Sequence, residues 1–359
     1  MALMRMLVAA TLGSVLLGYS PRVDLEAGHY LKAMGEAEAQ LKANPSDALA
    51  WAAKSQALSS QQRFTEALAA ADKALSLNPG LPDGLQARGL ARAGTAVQQR
   101  NFGSLRQAGG AVRDLEAAVQ ADPRLVTGWM SLGVAYQQLP GILGGSTRKA
   151  LQCAESLKRV NPAKGDLLQG TILYLEERWK EAEPCFARAL AAAPSDPAVV
   201  EGYLEALGSR EARKVLGEQE QDRRLAAEAR RLLPAVRGSA RGVTAVSQAL
   251  MDANQHEAAW NVAKERLNQT DAPSLLRLQL GKLAARTNLH QEEGLAMLDQ
   301  VLREPLEGGS GGYAAAHWRK GQILKDLGRK AEAKAEAEAA LRVDPKHRGA
   351  EELARKLGE

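Results

Sequence analysis

Small and apolar residues recur along this chain with a period of 34 residues, in a pattern that suits paired helices rather than strands. Three segments align without a gap: 48–81, 163–196 and 314–347. In the second, Gly170 is followed by Trp179, Ala182, Phe186, Ala189 and Pro194. The first segment places Ser55, Phe64, Ala67, Ala71, Ala74 and Pro79 at those positions, and the third places Gly321, Lys330, Ala333, Ala337, Ala340 and Pro345. The spacing predicts two helices per repeat. Small residues such as Gly170 and Ala182 let them approach, Phe186 fills the space that remains, and Ala189 lets the next repeat stack. Proline closes the second helix because it lacks an N–H and clashes with the preceding turn. One such unit cannot bury its own apolar face, so the units must stack.

Two more repeats carry insertions. From Trp129 to Pro162 is 33 positions, against 28 from Trp51 to Pro79, which leaves five extra residues in the stretch 139–146. From Gly89 to Pro123 is 34 positions, against 24 from Gly170 to Pro194, which leaves ten extra in the stretch 94–110. Both are expected between helices. The organisation that follows is a signal-like apolar leader over 1–20, a helical segment over 21–47 and a repeat array over 48–209. An irregular arginine-rich helical segment (210–239), further repeats (240–346) and a capping helix (347–359) complete it. A softer junction is expected at 208–240, and a flexible connection at 306–313.

The segment 129–136, Trp-Met-Ser-Leu-Gly-Val-Ala-Tyr, resembles the opening of a tetratricopeptide repeat, and the resemblance extends over most of residues 30–358. It implies an all-α fold, a right-handed superhelix built as an α-solenoid of antiparallel helix pairs. The last repeat and the turn 140–146 resemble a group of bacterial envelope repeat proteins. In such arrays the first helices line a concave face that binds partners. By register the lining here is Ala52, Gln56, Gln86, Met130, Val134, Gln137, Leu167, Thr171, Tyr174, Trp318, Arg319 and Gln322. The clamp by which chaperone-binding members hold a terminal carboxylate is missing, because Ala52 and Gln56 stand at its first Lys and Asn positions. Met, Leu, Tyr and Gln suit a peptide or amphipathic helix held by apolar anchors and amide hydrogen bonds.

Composition narrows the rest. Aromatic residues are only 4% of the chain, as expected where small residues mediate helix stacking. Arg5 followed by the apolar run 7–18 has the shape of a signal peptide, so export is expected, to the periplasm or to a membrane anchored by an uncleaved segment. Tyr19 stands where a lipoprotein would carry its lipid-bearing cysteine. Cys153 and Cys185 occupy equivalent places in adjacent repeats, about 8–10 Å apart by helix packing, too far for a disulfide. The net charge of +5 includes a cluster of Arg223, Arg224, Arg230, Arg231, Arg237 and Arg241, a candidate anion-binding face. No aromatic residues interleave with it, so nucleic acid is not expected. The turn 141–149 fails the phosphate-loop pattern, since Ser146 rather than Lys follows the last glycine. Ser146 is the expected N-cap of the next helix, and its free N–H groups with Arg148 and Lys149 make a second candidate anion site.

The five histidines are scattered without metal spacing, and no nucleophile motif occurs. No enzyme activity, metal or cofactor is expected. The leading expectation is a protein-binding scaffold or assembly factor of the bacterial cell envelope with protein partners. The alternatives are a periplasmic ligand-binding or transport accessory for an anionic small molecule, lipid or glycan, and a cytoplasmic scaffold.

Overall fold

A computed structural model describes residues 24–25, 28–99, 102–141, 144–267, 269, 272–307 and 310–358, and for residues 99, 102–104, 310 and 311 the backbone alone. The predicted leader 1–20, with Tyr19, lies outside the described residues. Among those described there are nineteen helices and no strand. By its contacts the chain divides into two units, residues 1–131 and 132–359.

The first unit holds α1 (Tyr30–Ala43), α2 (Ala48–Ser60), α3 (Phe64–Leu77), α4 (Pro82–Gln99), α5 (Phe102–Ala121) and the start of α6 (Val126–Gln138). Helices α2 and α3 form one pair, α4 and α5 the next. Each pair closes at a small residue on its first helix. Ser55 sits there in α2 and donates its hydroxyl to the Ala67 carbonyl at 2.7 Å. Gly89 sits there in α4, where a Cβ would lie 2.8 Å from Leu115 and 3.2 Å from the Ala111 oxygen. The entry to the first helix also repeats. The indole N–H groups of Trp51 and Trp129 each donate to the carbonyl of a proline six residues earlier, Pro45 and Pro123, at 2.9 Å. The tryptophan of the sequence pattern therefore clips the incoming chain to its own helix.

The second unit continues with the rest of α6, then α7 (Thr147–Lys158), α8 (Pro162–Leu175), α9 (Trp179–Ala192), α10 (Pro197–Leu207), α11 (Arg210–Leu216) and α12 (Glu218–Val236). It ends with α13 (Ala240–Asp252), α14 (His256–Arg266), α15 (Pro273–Thr287), α16 (Gln291–Val301), α17 (Ser310–Asp326), α18 (Lys330–Val343) and α19 (Arg348–Gly358). The pairing rule is the same. Ser247 of α13 donates to the Ala259 carbonyl at 2.9 Å. A Cβ on Gly170 would lie 3.1 Å from the Phe186 ring, which is fully buried beside Trp179. The tight turn between paired helices uses a left-handed residue two positions before the second helix at Glu177, Asn254 and Gly328, while the α15–α16 turn uses two, Asn288 and His290. Helix α19 covers the last pair with Ala350 and Leu353.

Three expectations change. The ten extra residues of 94–110 do not form an inter-helix loop. They lengthen α4 and α5 to 18 and 20 residues, against 13 and 14 in α2 and α3. The connection expected at 306–313 is already helical from Ser310, and the Tyr313 hydroxyl donates to the Glu304 carbonyl at 2.7 Å. The softer junction expected at 208–240 is not where the chain divides. There α12 pairs with α10 as an ordinary second helix and α11 is an insertion between them. Buried Gln221 pins this joint, since its amide N–H groups donate to the Leu207 and Ser209 carbonyls at 2.7 and 2.6 Å and its oxygen accepts from Arg213. Cys153 and Cys185 are both buried and are not joined in a disulfide.

Truncating Phe186 removes the side chain that fills the gap beside Gly170. Phe186→Ala is expected to lower the free energy of unfolding by about 3–5 kcal/mol, and Ser55→Gly by no more than about 1 kcal/mol, because glycine already occupies that slot in other pairs. Urea titrations followed by circular dichroism measure both.

Candidate functional site

The first helices of the pairs in the second unit, α8, α10, α13, α15 and α17, pack side by side in that order. Their small residues face their own partner helices. The next residue along is rotated by a helical step, and at Gln248 of α13 and Lys282 of α15 it faces a cleft of about 510 Å³. Tyr174 of α8, Glu201 and Glu205 of α10, and Thr244 of α13 line the same cleft. Across its floor, Lys282 donates to the Gln248 oxygen at 2.7 Å, and the Gln248 amide donates to Asp252 at 2.6 Å.

The charges in and beside this cleft are handled unlike those elsewhere. Partly buried cations of this protein are matched to carboxylates. Lys320 lies 2.8 Å from Asp299 and 2.7 Å from Glu336, Arg277 pairs with Glu304 at 2.5 Å, and Lys164 holds Asp196 at 2.7 Å. In the first unit Arg88 and Arg92 share buried Asp114. Among the described residues, Lys282 and Arg319 have no carboxylate within ion-pair distance. Arg319 donates to Gln322 at 2.9 Å and lies 3.8 Å over the Trp318 ring. Burial, then the charge of Arg286, lowers the Arg319 guanidinium to about 10. Burial, then the charge of Arg319, holds the Lys282 ammonium below the ordinary lysine value, against the opposing pull of Asp252. Arg286 itself reaches Asp252 at 3.3 Å. At the other end, Glu201 is bound by Arg241, whereas Glu205 has no cation partner among the described residues. Burial and then Glu201 raise its carboxyl above the usual range. Burial and then Glu205 raise the Tyr174 hydroxyl.

Family models described as tetratricopeptide repeat match residues 22–82 and 314–347. The chain therefore carries tetratricopeptide repeats at these residues. No curated protein sequence matches it. Among solved structures it is similar to a chain of the APC/C hetero-tetramer Cut9–Hcn1, at 12% identity and a TM-score of 0.45, over 91% of this chain and 59% of that one. It therefore spans less than two thirds of that chain's length. It is similar to yeast Tom70 at 11% identity and a TM-score of 0.47, over 94% and 79% of the two chains. A tetratricopeptide repeat protein from Parabacteroides merdae gives 16% identity and a TM-score of 0.42, over 74% and 95%. None of these superpositions is close enough to say what the chain binds.

The residues expected from register divide into two groups. Tyr174 opens into the cleft, and Gln56, Met130, Val134, Thr171, Trp318, Arg319 and Gln322 are partly exposed. Leu167, Gln86 and Ala52 are not lining residues. Leu167 is 5% exposed and Ala52 fully buried, while Gln86 is 3% exposed and accepts from the Thr127 hydroxyl at 3.0 Å. Their helices are rotated a little further into the stack than register alone implies. Gln137 is tied to Glu176 across the turn, and the Thr171 hydroxyl donates back to the Leu167 carbonyl.

The arginine cluster is largely neutralised. Arg223 pairs with Glu220, Arg231 with Glu228 and Arg224 with Glu183 of α9, while Arg230 donates to Gln255. At the glycine turn, Ser146 accepts from the Lys149 N–H as the N-cap, and the Lys149 ammonium lies 4.9 Å over the Tyr136 ring. Arg148 is exposed. The register reading missed Glu205, Gln248 and Lys282. Counting one residue on from the slot residues Ser247 and Gly281 would have found the last two.

An unmatched, half-buried cation weakens the free fold. Its folded-state value lies below the unfolded one, so the penalty is complete at neutral pH and fades as pH rises toward the unfolded lysine value of 10.5. Lys282→Met is therefore expected to raise stability at pH 7 by on the order of 1 kcal/mol, with the gain shrinking above pH 10. Lys320→Met, which orphans Asp299 and Glu336, is expected to lower it. Thermal melts across pH measure both.

Proposed function

We propose that this protein is a non-enzymatic scaffold that holds a segment of a partner protein in the cleft between α8, α10, α13 and α15. The cleft itself carries this reading, with Tyr174 at one wall and with Lys282 and Glu205, at its two ends, lacking an oppositely charged partner among the described residues. The repeat architecture supports it, since stacked pairs present one residue set after another along a continuous face. Exposed tyrosines in such clefts are frequent binding hot spots. A crosslinking pull-down from native cells tests it. Tyr174→Ala is expected to weaken capture of the partner about tenfold or more, while Arg223→Ala with Arg231→Ala, on the outer face of α12, leaves it unchanged. A partner captured equally by all three proteins would overturn the reading.

The proposal includes a place of work. Arg5 and the apolar run 7–18 fit export to the bacterial envelope, in keeping with the resemblance of the final repeat to envelope proteins. A reporter active only outside the cytoplasm, fused after residue 40, is expected to be active. A fusion that stays inactive while the protein accumulates would place the scaffold in the cytoplasm.

A further inference from the structure

We infer that the occupant of this cleft is an extended peptide segment with an acidic side chain set against Lys282, in the field of neighbouring Arg319, and a basic side chain set against Glu205, five or six residues apart. The inference rests on the scaffold reading and specifies the chemistry of its partner.

Three observations carry it. The first is the contrast in pairing. Carboxylates meet the partly buried Lys320, Arg277 and Lys164 of this unit, yet Lys282 and Arg319 are left without one, and Arg286 adds a third positive charge beside them. A charge taken partly out of water is costly unless it is paired, so these positions favour an external carboxylate. The second is the opposite sign at the far end, where Glu205 is raised by burial and by Glu201 and is likewise unmatched. Tyr174 borders it, and the facing groups between the two ends are neutral Thr244 and Gln248, together with Asp252, which Arg286 and Gln248 already engage. A bound segment is thus steered in one direction only.

The third observation is distance. Glu205 lies on α10 and Lys282 on α15, with α13 between them. Two packing steps of ~8–10 Å give roughly 16–20 Å. An extended chain rises ~3.3 Å per residue and covers that in about five or six residues. A segment in that form sets an acidic and a basic side chain against the two ends when they are about five or six residues apart.

Selection of displayed random twelve-residue peptides on the full chain tests this. The variants are Lys282→Glu with Arg319→Glu, the neutral pair Lys282→Gln with Arg319→Gln, and Tyr174→Ala, each first shown by circular dichroism to keep its helicity. Wild type is expected to enrich peptides with Asp or Glu and Lys or Arg five or six positions apart. The neutral pair is expected to bind them about tenfold more weakly, and the reversed pair to enrich bases in place of the acid. Peptides that need Tyr174 but lack the acid–base spacing would overturn this inference and leave the scaffold reading standing. Peptides indifferent to Tyr174→Ala would overturn the scaffold reading itself. Inorganic phosphate binding at Lys282 and Arg319 by calorimetry, with no acidic peptide enriched, would make this a small-anion site and overturn the inference.

Discussion

The close approach of two helices at one small residue governs this molecule. At Gly89, Gly170 and Gly321 there is no room for a larger side chain, and where serine replaces glycine its hydroxyl is taken up by the facing carbonyl, as with Ser55 and Ala67 or Ser247 and Ala259. Because the contact is so short, it fixes the rotation of the first helix about its own axis. Rotation decides which residues enter the core and which are left over. The side chains beside the slot, Gln248 and Lys282 among them, reach the cleft as a geometric result of how the pair closes.

That constraint explains what could be read in the sequence. Helix pairs, their period and their proline stops follow from local chemistry repeated along the chain, so the positions of Phe186, Ala189 and Ser146 were legible. The lining of the cleft was legible only in part, because register gives a helix face to within about one residue. Leu167 and Gln86 fell on the buried side of that margin and Tyr174 on the open side. Insertions were harder. Ten residues added as nearly three turns extend helices without disturbing the stack, and a Gly- and Gln-containing composition does not distinguish that from a loop.

Charge was the least legible quantity. The arginine-rich stretch looks strongly basic in sequence, yet its counter-ions lie three residues away on the same helix, as Glu220 does for Arg223, or on another helix, as Glu183 does for Arg224. Conversely, Lys282 is unremarked in sequence and Arg319 enters there only by register, and their exceptional state is a matter of which neighbours the fold withholds. Net charge therefore says little here about where an anion would be attracted. Burial and pairing have to be known residue by residue.

The left-handed residues Glu177, Asn254 and Gly328 stand at one register, two residues before the second helix of their pairs. Pairs that turn and close at repeated positions present their first helices in equivalent orientations, so the cleft behaves as a ruler. Its graduations are whole repeats, its markings are single side chains, and adding or removing one repeat would change the length it measures without redrawing the marks that remain.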